Sequence, residues 1–306
     1  MQSGILRTDL ETSAKQTQTA DAFSYKWAQR RSYEGSSRKT QLRDWLTERY
    51  GDVTAEDWLQ NAPETCVLLD AGCGAGVSAQ QLFGQVLSRI RYLGVDVSDA
   101  VEIAAQNFAD QGIAGGFMQA DITRLPLPPE SVDIILAEGS LHHTDSTEGA
   151  LKSLALLLKP GGRFMFYIYK KKGPIREFTD DDVRAKLQEM TPEEAWNEVM
   201  ALSKLGKAIG ELDVELEVPE DVALLEIPAG PINLQRFLYW HVFKCFYHPD
   251  LDLDEINHIN FDWYAPRNAH RQTSDEVRAW CANAGLHVER EVVEDAGITI
   301  ISRKGQ

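Results

Sequence analysis

The sequence has few basic residues and no long apolar runs, which argues against a nucleic-acid-binding protein and a membrane-spanning protein. Its 31 Lys and Arg stand against 47 Asp and Glu, a formal net charge of −16. A surface of that sign repels a phosphate backbone, which argues against nucleic acid as a partner. No stretch approaches the ~20 apolar residues of a membrane span, and no apolar segment of a secretory signal follows the N-terminus. We therefore expect a cytoplasmic protein that binds neither nucleic acid nor membrane.

Cysteine patterns that hold metals or form disulfides are also lacking. The chain has four cysteines, Cys66, Cys73, Cys245 and Cys281, with no CxxC pair and no short spacing of metal ligands. With no secretory signal, these residues are expected to be reduced thiols, most of them in the core. The sequence predicts no metal site.

Short apolar runs alternate with helical segments between residues 66 and 170. The runs are Cys66–Asp70, Tyr92–Asp96, Phe117–Asp121, Val132–Ala137 and Arg163–Tyr169. A helix at Ser274–Ala284, with Ser274 as its N-cap, precedes two further runs at His287–Val293 and Gly297–Ser302. This alternation predicts an α/β fold with a mainly parallel, seven-stranded sheet and helices on both faces.

Four regions follow from the pattern. Residues 1–60 are predicted to be an arm and a helical lid, with residues 1–20 a loose, polar arm. Residues 61–170 and 273–306 form the core, the latter as a closing helix and β-hairpin. Residues 171–272 are a mostly helical insert after the fifth strand, expected to form a ligand pocket.

The most specific feature is a run of alternate glycines after the first core strand. Asp70 precedes Gly72, Gly74 and Gly76, and a helix follows. Glycines allow a tight turn and a close approach of backbone to ligand, and the helix N-terminus offers free N–H groups. Asp96 and Asp121 end the next two predicted strands, so three acidic residues meet at one edge of the sheet. An acidic residue just before the glycines suits a cationic ligand better than a pyrophosphate.

These motifs, together with the turn Lys159-Pro160-Gly161-Gly162, resemble those of the class I S-adenosylmethionine-dependent methyltransferases. The resemblance covers residues 66–170 well and 274–303 in outline, and it implies a Rossmann-like fold with S-adenosylmethionine as cofactor and S-adenosylhomocysteine as product. The [DN]-P-P-[YFW] motif of nucleobase amino methylation is absent, since its place holds Glu138 to His143. No acidic set clearly matches a catechol-type magnesium site.

The family implies roles for individual residues. Those of the cofactor site are Asp70, Gly72, Gly74 and Gly76 at the methionine moiety, Asp96 and Val97 at the ribose and adenine, Asp121 and Ile122 at the adenine, and Glu138 and Gly139 near the methyl group. In the lid, Tyr25, Trp27 and Arg30 are candidates for closing over the cofactor or the acceptor. Simple packing of these aromatic rings is an equal alternative.

The acceptor is less defined. His142, His143 and Glu138 are the candidate catalytic groups, because a hydroxyl acceptor needs a base whereas a thioether does not. The candidate acceptor-binding residues in the insert are Arg236, Tyr239, Trp240, His241, Trp263, Tyr264 and Arg267. We expect methylation of a small molecule: either O- or N-methylation of a metabolite or sugar, or S-methylation of a methionine-like thioether. A methyltransferase acting on RNA or protein is the alternative. The arm and lid also offer surfaces on which a homodimer can form.

Overall fold

The computed structural model describes residues 4–8, 12–33 and 35–306. Its strands are β1 Leu6–Arg7, β2 Val67–Ala71, β3 Arg91–Asp96, β4 Gly116–Gln119, β5 Val132–Glu138, β6 Leu158–Tyr169, β7 Glu215–Val218, β8 Gly230–Asn233, β9 Leu286–Val293 and β10 Gly297–Lys304. Its α-helices are α1 Ala14–Ala28, α2 Ser36–Tyr50, α3 Asp57–Gln60, α4 Val77–Phe83, α5 Ala100–Asp110, α6 Thr147–Leu157, α7 Pro174–Leu187, α8 Pro192–Gly210, α9 Leu234–His241, α10 Leu253–Tyr264 and α11 Ser274–Asn283.

The main sheet has the order β1-β4-β3-β2-β5-β6-β10-β9. Pairing is parallel from β1 to β6, whereas β10 runs antiparallel to both β6 and β9. The mainly parallel α/β fold and the closing hairpin are therefore confirmed. The strand count of seven was wrong, because β1 adds an eighth strand with Leu6 opposite Met118. This strand covers backbone groups that would otherwise lie unpaired along β4.

The N-terminal region is more ordered than its polar composition suggested. Residues 1–3 and 9–11 of the predicted loose arm lie outside the described residues, but α1 already begins at Ala14, capped by Ser13, whose side chain accepts a hydrogen bond from the Gln16 amide. Gln16 and Thr19 are buried, and both side chains bond to Asn268. The expectation of a loose arm was wrong here because polar side chains fix the helix by hydrogen bonds rather than by apolar burial.

Side-chain alternation along the strands builds a core on each face of the sheet. Leu69, Ile135 and Phe166 face one side, where α6 and α11 cover them. Leu68, Leu136 and Met165 face the other side, against α2, α4 and α5. With a period of two along each strand, both faces need apolar residues, which explains the continuous apolar runs in the sequence.

The insert after β6 is mostly helical, as predicted. It holds α7, α8, α9 and α10, and the two-stranded sheet of β7 and β8. The closing helix α11 begins one residue earlier than its predicted cap, Ser274, implied. Thr273 is the N-cap and forms a capping box with Glu276, while Ser274 is the first helical residue.

A buried ion pair links two helices of the insert. The Asp180 carboxylate in α7 accepts hydrogen bonds from Arg176 Nε at 2.7 Å, Trp263 Nε1 at 2.7 Å and Tyr264 Oη at 2.8 Å. Asp180 and Arg176 side chains are 0% and 1% exposed. Because a buried charge without its partner is costly, this pair holds α7 and α10 in one arrangement.

Replacing Asp180 by Asn should destabilise the protein by ~3–5 kcal/mol, because Arg176 would keep its charge in a buried site without a carboxylate. The matched control is Asp182→Asn, which breaks an exposed pair with Lys186 on the same helix and should cost less than ~1 kcal/mol. Urea unfolding followed by circular dichroism measures both changes. Equal losses in the two variants would contradict the proposed importance of the buried pair.

Candidate functional site

A cavity of ≈ 380 Å³ lies beyond the carboxyl ends of the parallel strands. Its walls come from the loops after β2 to β5, from α1, and from the insert. This is where open parallel sheets bind their ligands, and the volume falls within the ~300–1,000 Å³ of small-molecule sites.

The glycine loop between β2 and α4 forms one wall. Gly72, Gly74 and Gly76 have φ angles of 84°, 51° and 76°. Residues other than glycine rarely adopt such positive φ angles. The Gly74 amide donates to Asp96 Oδ2 at 2.8 Å, and the Ser98 amide donates to Asp96 Oδ1 at 2.8 Å. These two bonds orient the Asp96 carboxylate at the end of β3 and fix the loop against it.

The next positions along the same edge combine acceptors with apolar surface. Asp96, Val97, Asp121 and Ile122 all line the cavity. Asp121 lies two residues beyond the end of β4 and accepts from the Thr123 amide through Oδ1 at 2.8 Å. Carboxylate oxygens beside flat apolar surface match the hydroxyls, amino group and ring of an adenosine moiety. The residues present therefore fit S-adenosylmethionine.

Two acidic residues near the loop are buried enough to resist ionisation. Asp70 lies under the glycine loop and accepts from Tyr92 Oη at 2.7 Å. Burial raises the pKa of its carboxyl to about 7 against the effect of this bond. Glu138, the last residue of β5, accepts from Tyr50 Oη, and burial raises its pKa to about 7 as well. A cation bound here would draw both groups into their ionised form.

The adjacent histidines differ in what they can reach. His142 is fully buried against Tyr169, with ring centroids 3.8 Å apart, and does not line the cavity. His143 lines it, and its Nδ1 lies 2.6 Å from the Asn268 carbonyl oxygen. Because a carbonyl only accepts, Nδ1 carries the proton and Nε2 presents its lone pair. Burial lowers the pKa of His143 to about 4, so the ring is neutral at pH 7 and has the tautomer of a base.

Helix α1 forms another wall of the cavity, next to the glycine loop. Trp27 packs so tightly on the glycine loop that a Cβ at Gly74 would lie 2.7 Å from its ring. Lys26 forms an ion pair with Asp262 of α10, and Asp262 Oδ2 accepts from Tyr169 Oη at 2.6 Å. Burial alone would raise the pKa of the Asp262 carboxyl, but Lys26, His143 and these hydrogen bonds hold it well below its usual range. The lid is thus fastened to the sheet and to the insert at one point.

The cavity brings together about half of the predicted site residues. Those that line it are Trp27, Gly72, Gly74, Asp96, Val97, Asp121, Ile122, Glu138, Gly139, His143 and Tyr239. Those that do not are Tyr25, Arg30, Asp70, Gly76, His142, Arg236, Trp240, His241, Trp263, Tyr264 and Arg267. Several of the second group make structural contacts instead. Tyr25 packs on Trp196, for example, and Tyr264 is bonded to Asp180.

Sequence reasoning missed several cavity residues. Phe23 lies in the predicted lid segment but was not among the predicted site residues. The others come from α2 (Arg38 and Trp45), from the segment after α9 (Lys244 and Phe246) and from α10 (Asp262). For Lys244 and Asp262 a signal was present, since each is a single charge among aromatic residues. Arg38 lies in a polar helix and had no such signal.

Residues 69–166 match the family model described as "Methyltransferase domain". The ubiquinone/menaquinone biosynthesis C-methyltransferase UbiE of Azotobacter vinelandii is 32% identical over 107 residues, 34% of this chain and 42% of that protein. The arginine-hydroxylase NDUFAF5 of Rattus norvegicus is 30% identical over 40% of this chain and 34% of its own. The probable tRNA methyltransferase 9B of Bos taurus is 26% identical over 52% of this chain and 33% of its own. The chain thus spans less than half the length of each relative.

Within the described ranges, no helix is long and apolar enough to cross a membrane. Among those same residues, no group of three or more His, Cys, Asp and Glu side chains is placed to hold a metal ion.

Replacing Gly74 by Ala should weaken binding of S-adenosylhomocysteine at least ~10-fold, since the new Cβ clashes with Trp27 and shifts the loop. The matched control is Gly84→Ala. Gly84 has a φ of +50°, close to the +51° of Gly74, but a Cβ there meets nothing within 4 Å. Calorimetric titration of both variants measures the difference. Equal weakening in the two would mean that backbone strain, rather than the contact with the lid, controls binding.

Affinity for S-adenosylmethionine should rise ~10-fold or more between pH 5.5 and 7.5. Asp70 and Glu138 have pKa values of about 7 in the free protein. A bound cation stabilises their ionised forms, so binding is favoured once the pH passes this pKa and is weakened below it. Calorimetric titration at several pH values measures how the logarithm of the affinity changes with pH. Glu138→Gln should roughly halve this change. An affinity independent of pH would contradict the role given to Asp70 and Glu138.

Proposed function

Because the chain belongs to the class I S-adenosylmethionine-dependent methyltransferases through its domain at residues 69–166, we propose that it transfers the cofactor's methyl group to a small molecule. The observation that carries the proposal is the continuity of one cavity. It runs from the glycine loop, Asp96 and Asp121 to Tyr239, Lys244 and Phe246 of the insert. A cofactor and an acceptor bound in it would therefore lie in one continuous space.

The residues of this chain supply alignment and exclusion of water. When bound, S-adenosylmethionine supplies an activated methyl group, whose bond to sulfur breaks, with the electron pair kept by sulfur, as the bond to the acceptor forms. Asp96 and Asp121 hold the nucleoside end, and the acidic groups of Asp70 and Glu138 stabilise the positive charge of the cofactor. The aromatic walls and the lid keep water out.

An acceptor with a hydroxyl or amino group must also lose a proton. His143 Nε2 has no hydrogen-bond partner among the described residues, and the ring lies in the cavity wall beside Phe23, with ring centroids 4.9 Å apart. It is the group best placed to accept this proton. A thioether acceptor would need no such step, so O-, N- and S-methylation all fit the cavity. C-methylation, named for UbiE, requires a carbanion-like acceptor and would use the same base.

Transfer to RNA is a second candidate, favoured by the similarity to tRNA methyltransferase 9B. The net charge of −16 opposes it, because an RNA backbone would meet repulsion over most of the surface. The lid and the insert also line the cavity, which suits an acceptor that can enter it whole. A small acceptor is therefore the better supported proposal.

Methyl-labelled S-adenosylmethionine distinguishes the two. The protein is incubated with the label and with whole or desalted bacterial extract, and the label is followed into low-mass and precipitable fractions. We expect a low-mass product that disappears when the extract is desalted. Asp96→Asn, which removes the charge that orients the glycine loop, serves as the inactive control. Label in RNA or protein would overturn the proposal for a small acceptor.

A further inference from the structure

A buried lysine stands at the insert end of the cavity. Lys244 follows α9, is 6% exposed and lines the cavity. Its backbone amide donates to Tyr264 Oη at 2.7 Å, which fixes the position of this residue against α10. The backbone from which the Lys244 side chain extends is therefore held in place.

Among the described residues, no oxygen accepts a hydrogen bond from Lys244 Nζ. The ammonium lies 5.0 Å from the centroid of the Trp263 ring. An ammonium has three donors and no acceptor of its own, so a ligand in the cavity can supply the acceptors that the protein does not. Burial lowers the pKa of Lys244 to about 7, with Asp262 opposing this shift and Arg176 adding to it.

The carboxylates near Lys244 are already bound to other groups. Asp180 accepts from Arg176, Trp263 and Tyr264, and Asp262 is held by Lys26 and Tyr169. Arg176, another buried cation on this side, donates to Asp180 and to the Tyr239 carbonyl. Lys244 is therefore a basic group that faces the cavity and has no acceptor among the described residues.

The arginines that the sequence suggested as anchors have other partners. Arg236 donates to the Tyr247 carbonyl at 3.2 Å, and Arg267 donates to the Gln188 carbonyl at 3.0 Å. Neither lines the cavity. Lys244 is thus better placed than either of them to meet a ligand.

We propose that Lys244 forms a subsite for an anionic group, a carboxylate or a phosphate, on the acceptor that the enzyme methylates. The surrounding rings of Tyr169, Tyr239 and Phe246 favour an acceptor whose anionic group is attached to an apolar or aromatic body. The ammonium would gain its missing acceptors and the ligand would be oriented by one charge-assisted contact. This inference rests on the proposed function, because an acceptor subsite requires the cofactor site beside it.

The test compares benzoate with its neutral analogue benzamide on the protein loaded with S-adenosylhomocysteine. Calorimetric titration should show benzoate binding ~10-fold or more tighter than benzamide. A parallel titration with phenyl phosphate shows which anionic group the acceptor carries. If phenyl phosphate binds more tightly than benzoate, the acceptor carries a phosphate. If it binds more weakly, the acceptor carries a carboxylate. Equal binding of benzoate and benzamide by the wild-type protein would overturn the inference without any variant.

Lys244→Met should bring the affinities of the two probes within ~3-fold of each other, because it removes the charge and keeps an apolar side chain of similar length. The matched control, Lys204→Met, removes an exposed charge from α8 and should keep the preference. Lys244→Gln provides a second variant if the first is poorly folded. A full preference for benzoate in either Lys244 variant would overturn the inference.

If the wild-type protein fails to bind S-adenosylhomocysteine, the proposed function fails. If it binds and only the preference is missing, this inference alone fails.

Discussion

The arrangement of this protein depends on one half-buried carboxylate, that of Asp262. Three separate parts of the chain meet there: Lys26 of the lid, Tyr169 at the end of β6, and α10 of the insert, which carries Asp262 itself. A carboxylate that is partly withdrawn from water is stabilised by the cations and donors around it. The lid, the sheet and the insert are therefore fixed relative to one another by the same requirement, and the cavity between them has a defined shape.

This arrangement divides the cavity into two ends of opposite charge. At the sheet, Asp96, Asp121 and Glu138 provide acidic groups beside a loop that only glycines can form. At the insert, Lys244 provides a basic group that has no acceptor in the part of the chain that the structure describes. A cationic cofactor and an anionic acceptor would each find a complementary end, so electrostatics would set the order of the two ligands along the cavity. The methyl group would then be transferred near the middle, where Glu138 and His143 lie in the wall.

Much of the fold and of the cofactor end could be predicted from the sequence. Asp96 and Gly74 were identified because parallel strands place their carboxyl ends at one edge, and because glycine allows backbone angles closed to other residues. The closing hairpin followed from the two short runs after the last predicted helix. The errors arose where long-range polar contacts decided the outcome, as with Gln16 and Thr19, whose bonds to Asn268 order a segment that composition alone marks as loose.

The sequence by itself determined the α/β alternation, the glycine loop and the acidic edge, because each of these depends on residues close together in the chain. Only the tertiary structure decided which aromatic and charged residues of the insert reach the cavity. Trp263 and Tyr264 turn to the buried Asp180, whereas Lys244 turns to the cavity, although all three lie among aromatic residues in the sequence. The physical reason is that helix packing and the pairing of buried charges join residues distant in the chain, and no local pattern records these contacts.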